Sequence, residues 1–301
     1  GFSGTCGQYI FANSQMESGM LAAIRMLGAG VILLLFTLFA KKKETFAVWK
    51  KPAEAVRLVI FAVGGLMFSQ FAYLTAISYS NSGTATVFQN TGIILVMIIS
   101  CLLARRLPRG KEITAAVLTL IGVVLLATHG RLDGLVISGG ALTWGGLAAL
   151  ALVTYTLLPG QLLKKWGTPL VNGFAMLIGG IVLAVAFRIW EESWDFELHI
   201  VLALLAMVIL GTVIAFSFYL QGVADIGPVK ASMLACIEPV VATVISALWL
   251  GTEFATIDLL GFALIIGGCL LVSMSGEKDA QADAEDAPES ARAVVSGADT
   301  E

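Results

Sequence analysis

Nine long hydrophobic segments separated by short polar loops constrain this chain more than any other feature. A helix needs about 20 apolar residues to cross a hydrocarbon core about 30 Å thick. The segments are continuous rather than alternating, which favours membrane helices over barrel strands. We place them at Met20–Ala40, Leu58–Ile77, Gly83–Ala104, Ile113–Thr128, Leu135–Leu158, Leu170–Phe187, Ile200–Leu220, Val229–Leu250 and Ile257–Met274. The sequence therefore predicts an all-α integral membrane protein.

The composition excludes the other common classes of protein. Hydrophobic residues make up 58% of the chain and charged residues 13%, with a mean hydropathy of +0.90, whereas soluble domains are about 45–50% apolar and about 25% charged. The net charge of −3 argues against a nucleic-acid partner. The four cysteines lie inside apolar segments without a C-x-x-C pair. We therefore expect no cofactor, no metal site and no catalytic residues.

The chain begins with an apolar stretch, Gly1–Ala12, that is too short to span a bilayer. We interpret it as a truncated first helix, which brings the predicted number of transmembrane helices to ten.

Lysine and arginine fall almost entirely in alternate loops, which predicts the orientation of the chain. The opposite loops hold only Arg131 and Arg188. The basic loops hold thirteen residues, namely Lys41, Lys42, Lys43, Lys50, Lys51, Arg57, Arg105, Arg106, Arg109, Lys111, Lys164, Lys165 and Lys230. We expect these loops and both termini to face the cytoplasm, in the plasma (inner) membrane.

An internal repeat divides the hydrophobic part of the chain. At an offset of 146 residues Gly122 aligns with Gly268, and at an offset of 150 Met26-Leu27-x-x-Gly30 aligns with Met176-Leu177-x-x-Gly180. The pattern predicts helices one to five over residues 1–128 and helices six to ten over residues 134–275. Because five is odd, the second half must cross in the opposite sense, an arrangement used for alternating access. Residues 276–301 are predicted to form a disordered acidic cytoplasmic tail.

The chain resembles the drug/metabolite transporter superfamily, EamA type. The second repeat carries the likeness in GPVKASMLACIEPVVATVISALWLGTE (227–253) and LGFALIIGGCLL (260–271). The first repeat carries it in LAAIRML (21–27), SGTATVFQN (82–90) and LIGVVLL (120–126). The resemblance implies two inverted five-helix repeats, cytoplasmic termini and export of metabolites, amino acids or drugs. The first repeat lacks the usual Glu-Pro, since Gly92-Ile93 align with Glu238-Pro239, and the resemblance therefore implies functional asymmetry between the halves.

Glu238 is an acidic residue placed roughly 14 Å into a predicted span by the helical rise. Intramembrane acids usually face a cavity or a partner. The residue indicates either a cavity-lining or proton-linked site, or a hydrogen-bonded carboxyl group beside the helix break that Pro239 should make.

Arg25 is the second charge inside a predicted span, roughly 8 Å deep by the helical rise. At that depth its side chain can extend to the interface. The alternatives are attraction of an anion and pairing with Glu238.

Uncharged polar residues share helical faces in the first repeat. Thr86, Gln89 and Asn90 lie on one face, and Gln70 and Tyr73 on one face of the preceding helix. They predict a hydrogen-bonding substrate pathway, with contacts between helices as the alternative. Gln8 and Tyr9 are further candidates for lining it.

The sequence thus predicts a secondary transporter that exports a small organic solute. Its partners are the solute and membrane lipid, with protons and a second copy of the chain as further candidates. A membrane-embedded enzyme acting on a lipid or lipid-linked substrate is the alternative, although the clustered acids and bases that it needs are not visible.

Overall fold

The structure is a computed structural model that describes residues 1–40, 45–103, 105, 107–108, 110–128, 137–192, 197–219, 221–222, 225 and 238–285. These residues form helices and loops, with no strand among them. The helices are α1 (Phe2–Asn13), α2 (Ser18–Ala40), α3 (Pro52–Tyr79), α4 (Ser82–Asn90), α5 (Gly92–Leu103), α6 (Gly110–Thr128), α7 (Gly139–Leu157), α8 (Gly160–Trp166), α9 (Thr168–Ala186), α10 (Leu198–Tyr219), α11 (Glu238–Leu250) and α12 (Thr256–Glu285).

Four of these helices, α2, α3, α9 and α10, are long and apolar enough to cross a membrane. Helices α7 and α8 meet at 46° and make a fifth span if they cross together. The outer faces of α2 and α10 carry exposed large apolar side chains, such as Phe36, Leu202 and Phe218. The expected all-helical protein with several apolar spans is confirmed, whereas the count of ten stays a prediction.

The segment predicted at Gly83–Ala104 is two helices, because the chain turns at Thr91 between α4 and α5. The N–H of Thr91 donates to the carbonyl of Phe88 at 3.1 Å, and the N–H of Ile94 donates to that of Thr91 at 3.0 Å. Such bonds between residues three apart tighten a helix end. Gly92 then lies directly against the backbone of Ala149 in α7, where a β-carbon would not fit.

The boundary predicted at residue 276 does not coincide with a helix end, since α12 continues to Glu285. The first ten residues of the predicted tail, 276–285, are therefore helical rather than disordered. Their alanine, glutamate, lysine and glutamine residues have high intrinsic helix propensity. Residues 286–301 lie outside the described residues.

Two helices contain a π-helical segment that the sequence analysis did not predict: Phe61–Met67 in α3 and Ile209–Ile214 in α10. The two segments begin 148 residues apart, close to the offsets of the internal repeat. Each has a carbonyl bonded by a neighbouring helix, as membrane helices with irregular turns require. Thr154 Oγ1 of α7 donates to the carbonyl of Gly64 at 3.0 Å, and Arg25 Nη2 of α2 donates to that of Gly211 at 3.3 Å.

Two pairs of helices pack closely through reciprocal glycine contacts. Helix α2 packs along α9, where a β-carbon on Gly30 would lie 2.6 Å from the nitrogen of Leu177 and one on Gly180 would lie 2.8 Å from that of Leu27. At an offset of 150, Gly30 aligns with Gly180 and Leu27 with Leu177, so the two contacts are equivalent. The contacts show that the two helices run antiparallel.

Helix α6 packs along α12 in the same way. A β-carbon on Gly122 would lie 2.7 Å from the carbonyl oxygen of Gly261, and one on Gly268 would lie 2.8 Å from that of Ala115. At an offset of 146, Ala115 aligns with Gly261 and Gly122 with Gly268, so the two contacts are equivalent. Small residues thus let the backbones of both helix pairs approach closely.

Candidate functional site

A cavity of about 490 Å³ lies between the two halves. Helices α1 to α5 border it from one half and α7, α10 and α11 from the other. Six of the seven residues predicted for the substrate pathway line it, namely Arg25, Gln70, Tyr73, Gln89, Asn90 and Glu238. The structure therefore brings together residues that are more than two hundred positions apart in the sequence.

Arg25 turns inward, toward α10. Only 2% of the residue is exposed. Its Nε donates to Thr212 Oγ1 at 2.7 Å and its Nη2 to the carbonyl oxygen of Gly211 at 3.3 Å, both in the π-helical segment of α10. Its Cζ lies 5.9 Å from the centre of the Phe216 ring, within the range of a cation–π contact. The guanidinium is thus fixed to the opposite half of the chain.

Glu238 is the first residue of α11, and 43% of its side chain is exposed. Its Oε1 lies 3.1 Å from the nitrogen of Gly1. The carboxylate borders the cavity together with Val241, one turn farther along the helix. Pro239 is the second described residue of α11 and is buried. The break predicted before Pro239 lies outside the described residues.

Thr86 is the predicted pathway residue that does not line the cavity. Its Oγ1 donates to the carbonyl oxygen of Ser82 at 2.6 Å and shares a hydrogen bond of 2.8 Å with the hydroxyl of Tyr73. The residue thus connects α4 to α3, which is the alternative role considered for this group.

The side-chain amides of Gln89 and Asn90 in α4 use only some of their donors and acceptors in the described hydrogen bonds. Asn90 Nδ2 donates to the carbonyl oxygen of Thr86 within the same helix at 2.9 Å. Gln89 Nε2 reaches Ser69 Oγ of α3 at 3.5 Å, which is a weak contact. Gln89, Asn90 and Gln70 therefore present polar groups at the cavity wall.

An aromatic wall faces these polar residues. Of its members, Tyr155 and Tyr219 are weaker sequence-based candidates near helix ends, and Phe216 is not predicted from the sequence. Tyr155 of α7 contacts Phe216 and Tyr219 of α10, with ring centres 5.8 Å and 6.3 Å apart. All three border the cavity. The hydroxyl of Tyr155 is buried and has no partner among the described residues. The signal in the sequence was the spacing of Phe216 and Tyr219 by three residues, which places both on one face of a helix.

Gln8 does not line the cavity but lies at the centre of a hydrogen-bond network in the middle of α1. Its Oε1 accepts from the N–H of Ser82 at 2.8 Å and from Ser246 Oγ at 2.9 Å. Its Nε2 donates to Thr252 Oγ1 at 3.0 Å. The network, which we call the Gln8 network, joins α1 to α4 and α11.

The Gln8 network continues to the cavity wall. Ser82 also shares a hydrogen bond of 3.3 Å with Thr5 Oγ1, and its carbonyl oxygen accepts from Thr86, which bonds Tyr73. Tyr9, the other candidate of the first helix, stacks on Trp249 with ring centres 5.2 Å apart and does not border the cavity. Polar contacts thus connect the Gln8 network to Tyr73 on the cavity wall.

Comparison with known proteins gives one consistent result. The profile of the EamA-like transporter family matches residues 1–128 and 140–274. The "Uncharacterized inner membrane transporter YicL" of Salmonella typhimurium is 38% identical over 94% of this chain and 94% of its own length. Protein PecM of Dickeya dadantii is 26% identical over 84% of this chain and 82% of its own length. The "Uncharacterized inner membrane transporter YedA" of Escherichia coli K12 is 26% identical over 85% of this chain and 81% of its own length.

A protein of known crystal structure shares the fold, with a TM-score of 0.62. The likeness covers 91% of this chain and 96% of that chain at 18% sequence identity. At that identity the comparison concerns the fold alone.

Proposed function

Because the chain belongs to the EamA-like transporter family, we propose that it is a secondary transporter that moves a small organic solute across the inner membrane by alternating access. The central cavity carries this proposal. It is walled by both halves of the chain and holds charged, amide and aromatic groups, the mixture expected where a small molecule is bound and oriented.

The packing of the helices supports an inverted repeat of two five-helix halves. The reciprocal glycine contacts of α2 with α9 and of α6 with α12 are those expected from a two-fold relation between antiparallel counterparts. The match of the family profile to residues 1–128 and 140–274 favours a division close to the predicted one. In this arrangement α1 to α6 form the first half, with α4 and α5 together as one span, and α7 to α12 form the second, with α7 and α8 together as one span.

The Gln8 network supports alternating access because it joins the proposed halves beside the cavity wall and is suited to close the cavity at that end. Gln8 and Ser82 belong to the proposed first half, and Ser246 and Thr252 to the second. Rocking the halves apart at this end would break the hydrogen bonds of Gln8 to Ser246 and Thr252 and open the cavity there. A site between pseudo-symmetric halves then becomes accessible from alternate sides.

The orientation and the direction of transport follow from separate arguments. The excess of lysine and arginine in alternate loops favours cytoplasmic termini, and the Gln8 end of the cavity then faces the periplasm. Export is favoured by the resemblance to the superfamily. Glu238 is the candidate for coupling to protons, since it is the carboxylate on the cavity wall.

Solute flux into proteoliposomes tests the proposal. We expect purified protein to support saturable flux of at least one compound from a panel of small acids, amines, amino acids and neutral metabolites. Protein-free liposomes give the background for each compound. The absence of protein-dependent flux over the whole panel would contradict the proposed function.

A further inference from the structure

Building on the transport function proposed above, we propose that Arg25 recognises an acidic group of the solute, and that the solute class is small organic monocarboxylates. The inference concerns what the cavity binds, and it rests on the surroundings of one buried cation.

Arg25 is a buried charge without an acidic partner in the described part of the chain. With 2% of the residue exposed, its guanidinium is removed from bulk water. Among the described residues, no carboxylate oxygen lies within the ion-pair distance of 4 Å from the Arg25 guanidinium. Glu238, the acid on the same cavity, has its Oε1 at the nitrogen of Gly1. Buried charges in membrane proteins are usually paired or face a pathway.

The contacts of Arg25 position its charge without neutralising it. Thr212 Oγ1 and the carbonyl oxygen of Gly211 are neutral acceptors, and they occupy Nε and Nη2. Nη1 has no hydrogen-bond partner among the described residues. An arginine fork is suited to planar oxyanions, and a carboxylate would supply both the missing acceptor and the missing negative charge.

The rest of the cavity restricts which acids fit. Phe216, Tyr155 and Tyr219 give an apolar wall close to the guanidinium for the body of the molecule. Glu238 borders the same cavity, so that a second carboxylate on the solute would meet like charge. A volume of about 490 Å³ accommodates a small molecule. One acidic group on a compact apolar or aromatic skeleton is the best match.

Matched pairs of probes isolate the acidic group. Each pair is a monocarboxylic acid and its primary amide, which have nearly the same shape but differ in charge, for example 3-phenylpropanoate with 3-phenylpropanamide and hexanoate with hexanamide. Binding is read from the shift in unfolding temperature of the purified full chain. We expect acids to stabilise the wild-type protein and their amides to have no effect.

Two substitutions and a matched control assign the effect to Arg25. In Arg25→Gln, acid binding should weaken about tenfold or more, the loss expected for a charge-assisted hydrogen bond. Arg25→Lys keeps the charge without the fork, so it should retain a preference for acids with weaker binding. Arg188→Gln removes a charge from a side chain that is 68% exposed and does not border the cavity, and it should bind acids like the wild type.

The outcomes separate this proposal from the one on which it rests. Equal stabilisation by acids and amides, acid binding unchanged in Arg25→Gln, or no stabilisation by any acid would overturn the assignment of solute class. Protein-dependent flux of a neutral or cationic solute alone would overturn it while leaving the transporter function intact. If Arg25→Gln does not fold, the acid–amide comparison in the wild type and in Arg25→Lys decides.

Discussion

Arg25 and Glu238 are opposite charges on one cavity, and their surroundings give them different freedom. The guanidinium is fixed by two hydrogen bonds to α10, whereas 43% of the Glu238 side chain is exposed. A fixed charge suits recognition of a bound group. An accessible carboxylate suits exchange of a proton or a cation with water, and this difference motivates the first prediction.

Substitution of Glu238 by glutamine removes the group that could carry protons while keeping its size. We expect flux driven by a transmembrane pH gradient to fall to the level measured without a gradient in Glu238→Gln. Glu192→Gln, an exposed acid in the loop before α10, should behave like the wild type. The measurement is uptake into proteoliposomes at equal and unequal pH. An unchanged response to the gradient in Glu238→Gln would exclude proton coupling through this residue.

Sequence reasoning found polar residues of the cavity wall, but it could not tell which of them face the cavity and which bond other helices. Position on a helical face is visible in the sequence, so Gln70, Gln89 and Asn90 were found. The role of each residue depends on its hydrogen-bond partners in other helices. Thr86 is occupied by Tyr73 and by its own helix, and the anchor of Arg25 is Thr212, 187 residues away. Neither pairing has a local signal.

At the scale of helices, the reciprocal glycine contacts predict a specific sensitivity. In Gly30→Ala the new β-carbon would lie 2.6 Å from the nitrogen of Leu177, and backbone cannot yield as a side chain can. We expect a loss of about 1–3 kcal/mol of stability, the usual cost of overpacking. It would be seen as a lower unfolding temperature in detergent.

Gly146→Ala in α7 is the matched control, since a β-carbon there meets nothing within 4 Å. Its stability should change by less than about 0.5 kcal/mol. Equal stability of the two alanine variants would show that α2 and α9 are not held in this close packing.

The Gln8 network predicts how the cavity opens. Gln8→Ala removes the two hydrogen bonds that join Gln8 to Ser246 and Thr252 of the proposed second half. Conformers open at this end should become about thirtyfold more populated, given about 1 kcal/mol for each net hydrogen bond. The reporter is Ala215→Cys, a cavity residue, in a chain whose native cysteines are replaced. Labelling by an impermeant maleimide from the Gln8 side should accelerate accordingly.

Asn13→Ala serves as the control for Gln8→Ala. Asn13 is exposed at the end of α1, and its amide bonds only the carbonyl oxygen of Tyr9 in the same helix among the described contacts. Its labelling rate should match that of the unsubstituted reporter. If Gln8→Ala leaves the rate unchanged as well, the network is not the barrier.

Hydropathy predicted where helices occur better than how they are built. The apolar segments coincide with α2, α3, α9 and α10 because burial in lipid or protein requires apolar side chains. The turn at Thr91 and the two π-helical segments depend on backbone hydrogen bonds and on close approach of another helix. These features do not change average hydrophobicity. The continuation of α12 to Glu285 follows helix propensity in a polar stretch, which a hydropathy boundary misses.

For the whole molecule, the shared cavity predicts that filling it abolishes transport without unfolding the protein. Ala215 is a small residue of α10 on the cavity wall, and Ala215→Trp should reduce solute flux to the background of protein-free liposomes. Phe218→Trp, on the same helix at a position 74% exposed, should keep wild-type flux. Unfolding temperatures check that both variants fold. Normal flux through Ala215→Trp would place the pathway elsewhere.

The π-helical segments of α3 and α10 have a consequence for the shape of the cavity. A π turn holds about one residue more than an α turn. In each of these helices, the side chains after the segment are therefore rotated about the helix axis relative to the pattern set by those before it. Gln70, Tyr73 and Phe216 all lie in the rotated part of a helix, after its π-helical segment, and border the cavity. No single helical wheel describes either helix. On α3 every residue of the cavity wall follows the π-helical segment, and on α10 every one lies within or after it, so a helical wheel drawn over the full span misplaces these residues relative to those before the segment.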